Sequence, residues 1–334
     1  MKVGFVSTYL PKQCGIATYT DYLIGGLRKV SEELDMRVIA ETGAEPLKED
    51  GFTVDVPWDR NEDYVKQILD SIDGEDILHI QHEYGIYGFN ERLPELLTAL
   101  KGRIKTIVTI HCVRPAQFSE RGDVDEKYAG RIAELADMVI VHLDSQKSIL
   151  TRLGIKEEKI RVIPHGTEIT DEPRAASRER LNLPQEPWIL LMFGFVKKHK
   201  CLHTVLEALA RILEKRDDVY FFIGGGVAPN PKEKDREYAE YINRRIDELG
   251  VRDNVIYENK FFPNEDVPYL FGASDIVLFP YYEEDRSASG SMHLSLGAKK
   301  LVIASRIPKF EERREVCDEL LILPYNVDGL ERLI

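Results

Sequence analysis

Polar side chains crowd the places where apolar runs of this 334-residue chain give way to loops. The first is PKQCGIATYT, Pro11 to Thr20, where Gly15 opens a helix-like segment directly behind Cys14. A glycine there lets the backbone approach a phosphate or a sugar, and a helix N-terminus offers unpaired N–H groups to an anion; a glycine that only makes the turn reads the same way. The next is QHEYGIYG, with Gln81, His82, Glu83, Tyr84 and Gly85, followed by His111 and Cys112 at the end of IKTIVTIH. Neutral imidazoles and a carboxylate at successive strand ends can hydrogen-bond sugar hydroxyls, while a single histidine in such a place often packs or caps. In the second half, FGFVKKHK sets Lys197, Lys198, His199 and Lys200 together in an acidic chain, just before a helix-like run. Clustered ammonium groups beside a helix dipole suit a diphosphate. Gly225 within IGGG, and the loop DRSASGSMHL with Ser287, Ser289, Gly290 and Ser291, are two more small-residue strand exits. Hydroxyls and free N–H groups at a helix start form an anion cradle, although Ser289 alone could be an ordinary N-cap.

Elements that could hold these loops follow a regular rhythm. VGFVSTY, RVIA, DILHIQ, KTIVTIH, DMVIVHL and KIRVIPH are short Val/Ile-rich runs with few charges, the pattern of strands covered on both faces. Amphipathic stretches separate them; Ile16, Tyr19, Leu23, Leu27 and Val30 recur at three- and four-residue steps and predict one helix face. The rhythm pauses in a polar, proline-containing segment and resumes with WILLMFGF, VYFFIGGG, NVIYEN, DIVLFPYY, LVIAS and LLILPY. The pattern predicts an α/β protein with two Rossmann-like, doubly wound parallel-sheet domains facing a cleft: residues 1–168, a linker at 169–186, and 187–334. The closing VDGLERLI reads as the start of a helix, so the second domain is either short or lacks a C-terminal piece.

Composition narrows the function. A formal net charge of -13 disfavours broad nucleic-acid binding. No apolar run reaches the roughly 18–20 residues of a membrane span, and the N-terminus lacks a signal-peptide pattern, so a cytoplasmic location is expected. Cys14, Cys112, Cys201 and Cys317 are widely spaced, with no zinc-like spacing, and predict reduced thiols. No strand carries a dinucleotide fingerprint, which argues against a dehydrogenase.

Taken in order, VGFVSTYLPKQCGIATYT, QHEYGIYG, IVTIH, VIPHGTE, FGFVKKHKCLHTVLEAL, IGGG, ASDIVLFPYYEE and SGSMHLSLGAKKLVIAS resemble the family-four, group 1 retaining glycosyltransferases of the GT-B architecture, over nearly the whole chain. The resemblance implies transfer of a hexosyl group from a nucleotide-diphosphate sugar, UDP- or GDP-linked, to a carbohydrate or other hydroxyl acceptor, with retention and with neither metal nor cofactor. It implies a first domain that binds mainly the acceptor and a second that binds mainly the nucleotide diphosphate. By position, Gly15 matches a loop glycine near the donor phosphate, His111 a histidine facing the transferred sugar, Lys200 a lysine on the diphosphate, and Gly290 a glycine whose backbone contacts it. The chain departs from the family at Phe195, where an arginine is usual, leaving Lys197 or Lys198 to substitute, and at Cys201. The usual pair of glutamates falls on Arg286 and Leu294; Glu283 or Glu284 could replace the first, and the serine-rich loop looks like that of a subset lacking the pair. Two other readings use the same pockets: a GT-B phosphorylase, and a sugar-binding partner subunit without turnover.

Overall fold

The computed structural model describes residues 1–228, 231–282, 287–315 and 317–334, with 313–315 in backbone only. By internal contacts the chain forms two compact units, Met1–Gly166 with Asp285–Gly290, and Thr167–Glu284 with Ser291–Ile334. Ser287, Ser289 and Gly290 of the serine-rich loop therefore group with the first unit and Ser291 with the second, although all lie within the span expected for the second domain.

The first unit is built on eight strands: β1 (Lys2–Ser7), β2 (Asp35–Glu41), β3 (Leu47–Glu49), β4 (Phe52–Trp58), β5 (Ile77–His82), β6 (Lys105–Ile110), β7 (Met138–Val141) and β8 (Ile160–Val162). Their order across the sheet is β3-β4-β2-β1-β5-β6-β7-β8. Every pairing is parallel except β3 with β4. The second unit orders β11 (Val255–Tyr257), β10 (Val219–Gly224), β9 (Trp188–Phe193), β12 (Ile276–Phe279), β13 (Leu301–Ser305) and β14 (Leu321–Ile322), all parallel. In each sheet the chain winds first to one side of its opening strand and then to the other. The reversal falls between β1 and β5 in the first sheet and between β9 and β12 in the second. Loops at the carboxyl ends of strands around such a reversal part from one another and leave a crevice for a ligand. They are the loops after β1, β5, β9 and β12, which carry most of the residues singled out above.

Two elements differ from expectation. β3 and β4 were not foreseen, because β4 mixes Thr53, Asp55 and Pro57 with its apolar residues and β3 is exposed throughout. They lie at one edge of the sheet, where one-sided cover relaxes the demand for apolar residues. The segment 169–186 is not a free linker. Arg174–Arg180 is helical, and the fully buried Arg178 holds it to the second unit through the carbonyls of Ala273, Pro184, Gln185 and Pro187 and the Asp275 carboxylate. Among the described residues no helix is long and apolar enough to cross a membrane.

Candidate active site

In the first unit the Gly15–Val30 helix starts after a short loop from β1. The Ser7 and Thr20 hydroxyls, 2.7 Å apart, tie helix to strand, and Thr20 also donates to the Ile16 carbonyl. The helix buries Ala17, Thr20 and Ile24, whereas Val30 is 80% exposed, so its inner face is turned slightly from the predicted stripe. The small Ala17 and Thr20 let the helix lie close to the sheet, which an apolar-only pattern does not weigh. Cys14 precedes the helix in extended conformation and its sulfur accepts from the Thr8 hydroxyl. Gly15 is exposed, its backbone is not left-handed, and a side chain there would meet nothing within 4 Å. Neither crowding nor backbone geometry asks for glycine at this position.

Four adjacent strands, β5 to β8, each deliver a histidine at or just past the carboxyl end: His82, His111, His142 and His165. The last three surround one side chain. The Tyr19 ring stands nearly edge-on to His111, with centroids 4.6 Å apart, and lies 5.4 Å from His142 and 4.9 Å from His165. Sequence reasoning identified His111 and missed the rest of this group. The signal was present, since VTIH, VIVH and VIPH close three consecutive strand-like runs, but it needed the order β6-β7-β8 to become a cluster.

His111 is buried, and both its ring nitrogens are engaged. Nε2 lies 2.9 Å from the Gln81 side-chain amide, and Nδ1 lies 3.2 Å from His142 Nε2. His142 Nδ1 in turn lies 2.9 Å from the Ile163 carbonyl. A carbonyl only accepts, so His142 carries its proton on Nδ1 and, when neutral, presents a bare Nε2. His111 must then donate from Nδ1, which leaves its own Nε2 bare and in need of a donor from Gln81. The amide supplies that donor when its nitrogen faces His111, and oxygen and nitrogen exchange by a half-turn about the last side-chain bond. No hydrogen bond is lost, because the amide nitrogen in the opposite orientation has no partner. Burial, with the neighbouring histidines, pushes the His111 pKa well below its ordinary value and keeps the ring neutral. His111 is thus a neutral member of a buried hydrogen-bonded chain, with no ring nitrogen left for a proton transfer.

His82 is not available to a ligand. Its ring is fully buried among Tyr84, Tyr87 and Tyr128, neither nitrogen has a partner, and burial lowers its pKa to about 3. Glu83 is a cap: its carboxylate accepts from the Gly85 N–H at the start of the Tyr84–Tyr87 turn. In the serine-rich loop, the Ser287 backbone bridges Cys112 in antiparallel fashion, beside His111. Ser289 is buried, and a side chain on Gly290 would come 3.4 Å from His165 Nε2. Glu283, Glu284 and Arg286 lie outside the described residues.

In the second unit Lys198–Lys200 forms a 3-10 turn between β9 and the Leu202–Leu213 helix, with Cys201 left-handed at the junction. The Lys200 ammonium donates to the Phe193 carbonyl at 3.2 Å and lies over the Tyr281 ring at 5.7 Å. Lys200 therefore turns back over the end of β9, whereas Lys198 is exposed and Lys197 half-buried. Gly225 stands where a side chain would strike the Gly194 carbonyl oxygen at 2.3 Å, so close backbone packing accounts for this glycine without a ligand. Ser291, in the first turn of the Gly290–Gly297 helix, is half-buried, and Leu294 packs on the second core. All four cysteines are free thiols, and burial raises the Cys201 pKa to about 12. Among the described residues no group of three His, Cys, Asp or Glu side chains could hold a metal ion.

Residues 14–171 match the model of Glycosyltransferase Family 4, and residues 173–312 match that of Glycosyl transferases group 1. Together the two models account for most of the chain, and both are glycosyltransferase models. A 2-deoxystreptamine glucosyltransferase of Streptomyces kanamyceticus is 26% identical over 200 residues, which cover 54% of this chain and 48% of that protein. A D-inositol 3-phosphate glycosyltransferase of Streptomyces coelicolor is 26% identical over 197 residues, covering 54% and 42%. The match thus spans about half the length of these relatives. Among solved structures, Anabaena Alr3699/HepE in complex with UDP and glucose shares the fold at a TM-score of 0.74 and 16% identity, over 100% of this chain and 88% of that one. Sucrose-phosphate synthase from Thermosynechococcus elongatus does so at 0.74 and 18%, over 99% and 88%. The two parallel-sheet units have the GT-B fold of these structures.

Proposed function

We propose that this chain transfers a hexosyl group from a UDP- or GDP-linked sugar to a hydroxyl acceptor, with retention and without a metal. The observation that carries the reading is the succession of two glycosyltransferase family matches along one chain. Solved proteins of the same fold that hold UDP, with or without glucose, support a nucleotide-sugar donor. In such a transfer the bond from the anomeric carbon to the diphosphate oxygen breaks while that carbon gains oxocarbenium character. Negative charge grows on the departing phosphate, and fixed positive groups stabilise it as it forms. We assign that work to Lys200, whose ammonium rests on the Phe193 carbonyl and over the Tyr281 ring, with Lys197 near it in sequence. Both His111 nitrogens are committed to Gln81 and His142; for a retaining transfer we assign the acceptor's proton to the departing phosphate oxygen. The acceptor oxygen then bonds to the anomeric carbon on the face the phosphate has left.

The test is calorimetric titration with UDP and GDP, then with UDP-glucose and GDP-mannose, on the wild-type chain and on Lys200→Ala. A charge-assisted contact is worth about 1.5–3 kcal/mol, so the variant should bind the preferred diphosphate about ten- to hundredfold more weakly. Equal affinity in the two proteins refutes the place given to Lys200. A wild-type chain that binds none of the four compounds refutes the donor class.

A further inference from the structure

We propose that Tyr19 is a sugar-contacting residue of the first unit, its ring fixed by His111, His142 and His165 and its hydroxyl turned to the ligand. The inference rests on the nucleotide-sugar reading above and adds to it the group that recognises the sugar.

The first observation is the hydroxyl. Buried tyrosines bond their O–H to something. In this unit Tyr9 donates to Asp21, Tyr84 to the Asp125 carbonyl, Tyr87 to the Val6 carbonyl and Tyr128 to the Asn90 carbonyl. Tyr64 leaves its hydroxyl unpaired but sealed in the core. The Tyr19 hydroxyl has no partner among the described residues, and it is not sealed in. A fixed phenol that ends in an unused, reachable O–H is what a ligand hydroxyl needs opposite it.

The second observation is how firmly the ring is held. Its three imidazole neighbours come from the ends of three adjacent strands. Two of them are locked to each other and to Gln81 and Ile163 in the buried chain described above. These rings have little freedom to turn, so Tyr19 is preorganised and loses little entropy when it binds. This also explains why histidines gather at a strand edge yet offer no nitrogen at His111: they serve as walls for the tyrosine.

The third observation is charge. Burial raises the Tyr19 pKa to about 12, so the phenol stays protonated, and His111 stays neutral. A protonated phenol set against the neutral His111 favours the uncharged, hydroxyl-rich part of a ligand over its phosphates. The position agrees with this, because Tyr19 lies one helical turn beyond Gly15, whose missing side chain the fold does not require.

Tyr19→Phe removes one oxygen and keeps the ring. The assay compares wild type and variant on UDP, UDP-glucose, GDP and GDP-mannose by calorimetry, with melting temperature as the check on folding. We expect unchanged melting, diphosphate affinity within about twofold, and affinity for the preferred nucleotide sugar lowered about three- to tenfold, the range of one neutral hydrogen bond. Unchanged affinity for the sugar, or an equal loss on the diphosphate, overturns the inference and leaves the donor class standing. A wild-type chain that binds the diphosphate no worse than its sugar conjugate also overturns it. A wild-type chain that binds neither overturns both.

Discussion

Lowering the pH from 6.5 to 5.0 should destabilise the first unit steeply, because three of its histidines are buried neutral. Burial pulls His79 down to about 4, His82 to about 3, and His111 well below its ordinary 6.5. In the unfolded chain each regains a pKa near 6.5. A base whose folded pKa is depressed takes up its proton mainly in the unfolded state, so protonation pulls toward unfolding. Its contribution is fully present above about pH 7 and is lost as pH falls through the unfolded value toward the folded one. Over this window each group costs about 1–2 kcal/mol, so the three together cost on the order of 5 kcal/mol. Most carboxylates titrate below it. The buried Trp58 reports on the first unit, and Trp188→Phe removes the other tryptophan. With m near 2 kcal/mol per molar urea, the Trp58 midpoint should fall by about 2 M or more between the two pH values. His82→Leu should remove about a third of that fall, since its ring makes no hydrogen bond that leucine would forfeit. A change below about 1.5 kcal/mol across the window would show that these rings are not sequestered as described.

Two further outcomes concern the frame and the first loop. Arg178→Ala should cost the second unit about 3 kcal/mol and lower its melting temperature by about 6–12 °C, because Asp275 keeps Arg174 and the Ile189 N–H but loses its buried guanidinium; a shift under about 2 °C at Trp188 would count against the helix being docked by Arg178. Gly15→Ala should leave melting unchanged or slightly raised, alanine being the better helix former by up to about 1 kcal/mol, while weakening nucleotide-sugar binding at least about fivefold if the bare backbone faces the ligand; undiminished binding in isothermal titration would mark Gly15 as a turn residue only.

The two sheets were legible because parallel strands covered on both faces announce themselves as unbroken Val/Ile runs, and all twelve runs read from the sequence became strands. What stayed hidden depended on lateral order. A sequence shows that VTIH, VIVH and VIPH end in histidine; it does not show that β6, β7 and β8 are neighbours, and only adjacency turns three ordinary strand ends into a socket. His82 misled for the same reason. It ends β5, as His111 follows β6, yet aromatic rings from the Tyr84–Tyr87 turn and Tyr128 close over it. Helix faces were legible only coarsely: the predicted stripe on the Gly15–Val30 helix counted large apolar residues, whereas close packing on the sheet selected the small Ala17 and Thr20.

Glycines separate into two kinds once the backbone is known, and the separation bears on which loops can hold a ligand. Gly225 is required by the protein itself, since any side chain would enter the Gly194 carbonyl, and Gly194 has a left-handed backbone with φ of +98°. A glycine run at a strand exit is therefore no evidence of a phosphate in this chain. Gly15 is the opposite case, lying in open space with an ordinary backbone, so the fold would accept alanine there. The fold does not ask for glycine there, and the residue lies one helical turn before Tyr19, whose hydroxyl has no partner among the described residues. Charge divides the two units in a corresponding way. The strand ends of the first gather imidazoles, His111 among them held neutral by burial, around a protonated phenol, while the exit from β9 in the second gathers three lysines within four residues. In a chain of net charge -13, three lysines at one strand exit make a local positive spot against the overall charge, which is what the diphosphate of the proposed donor would require.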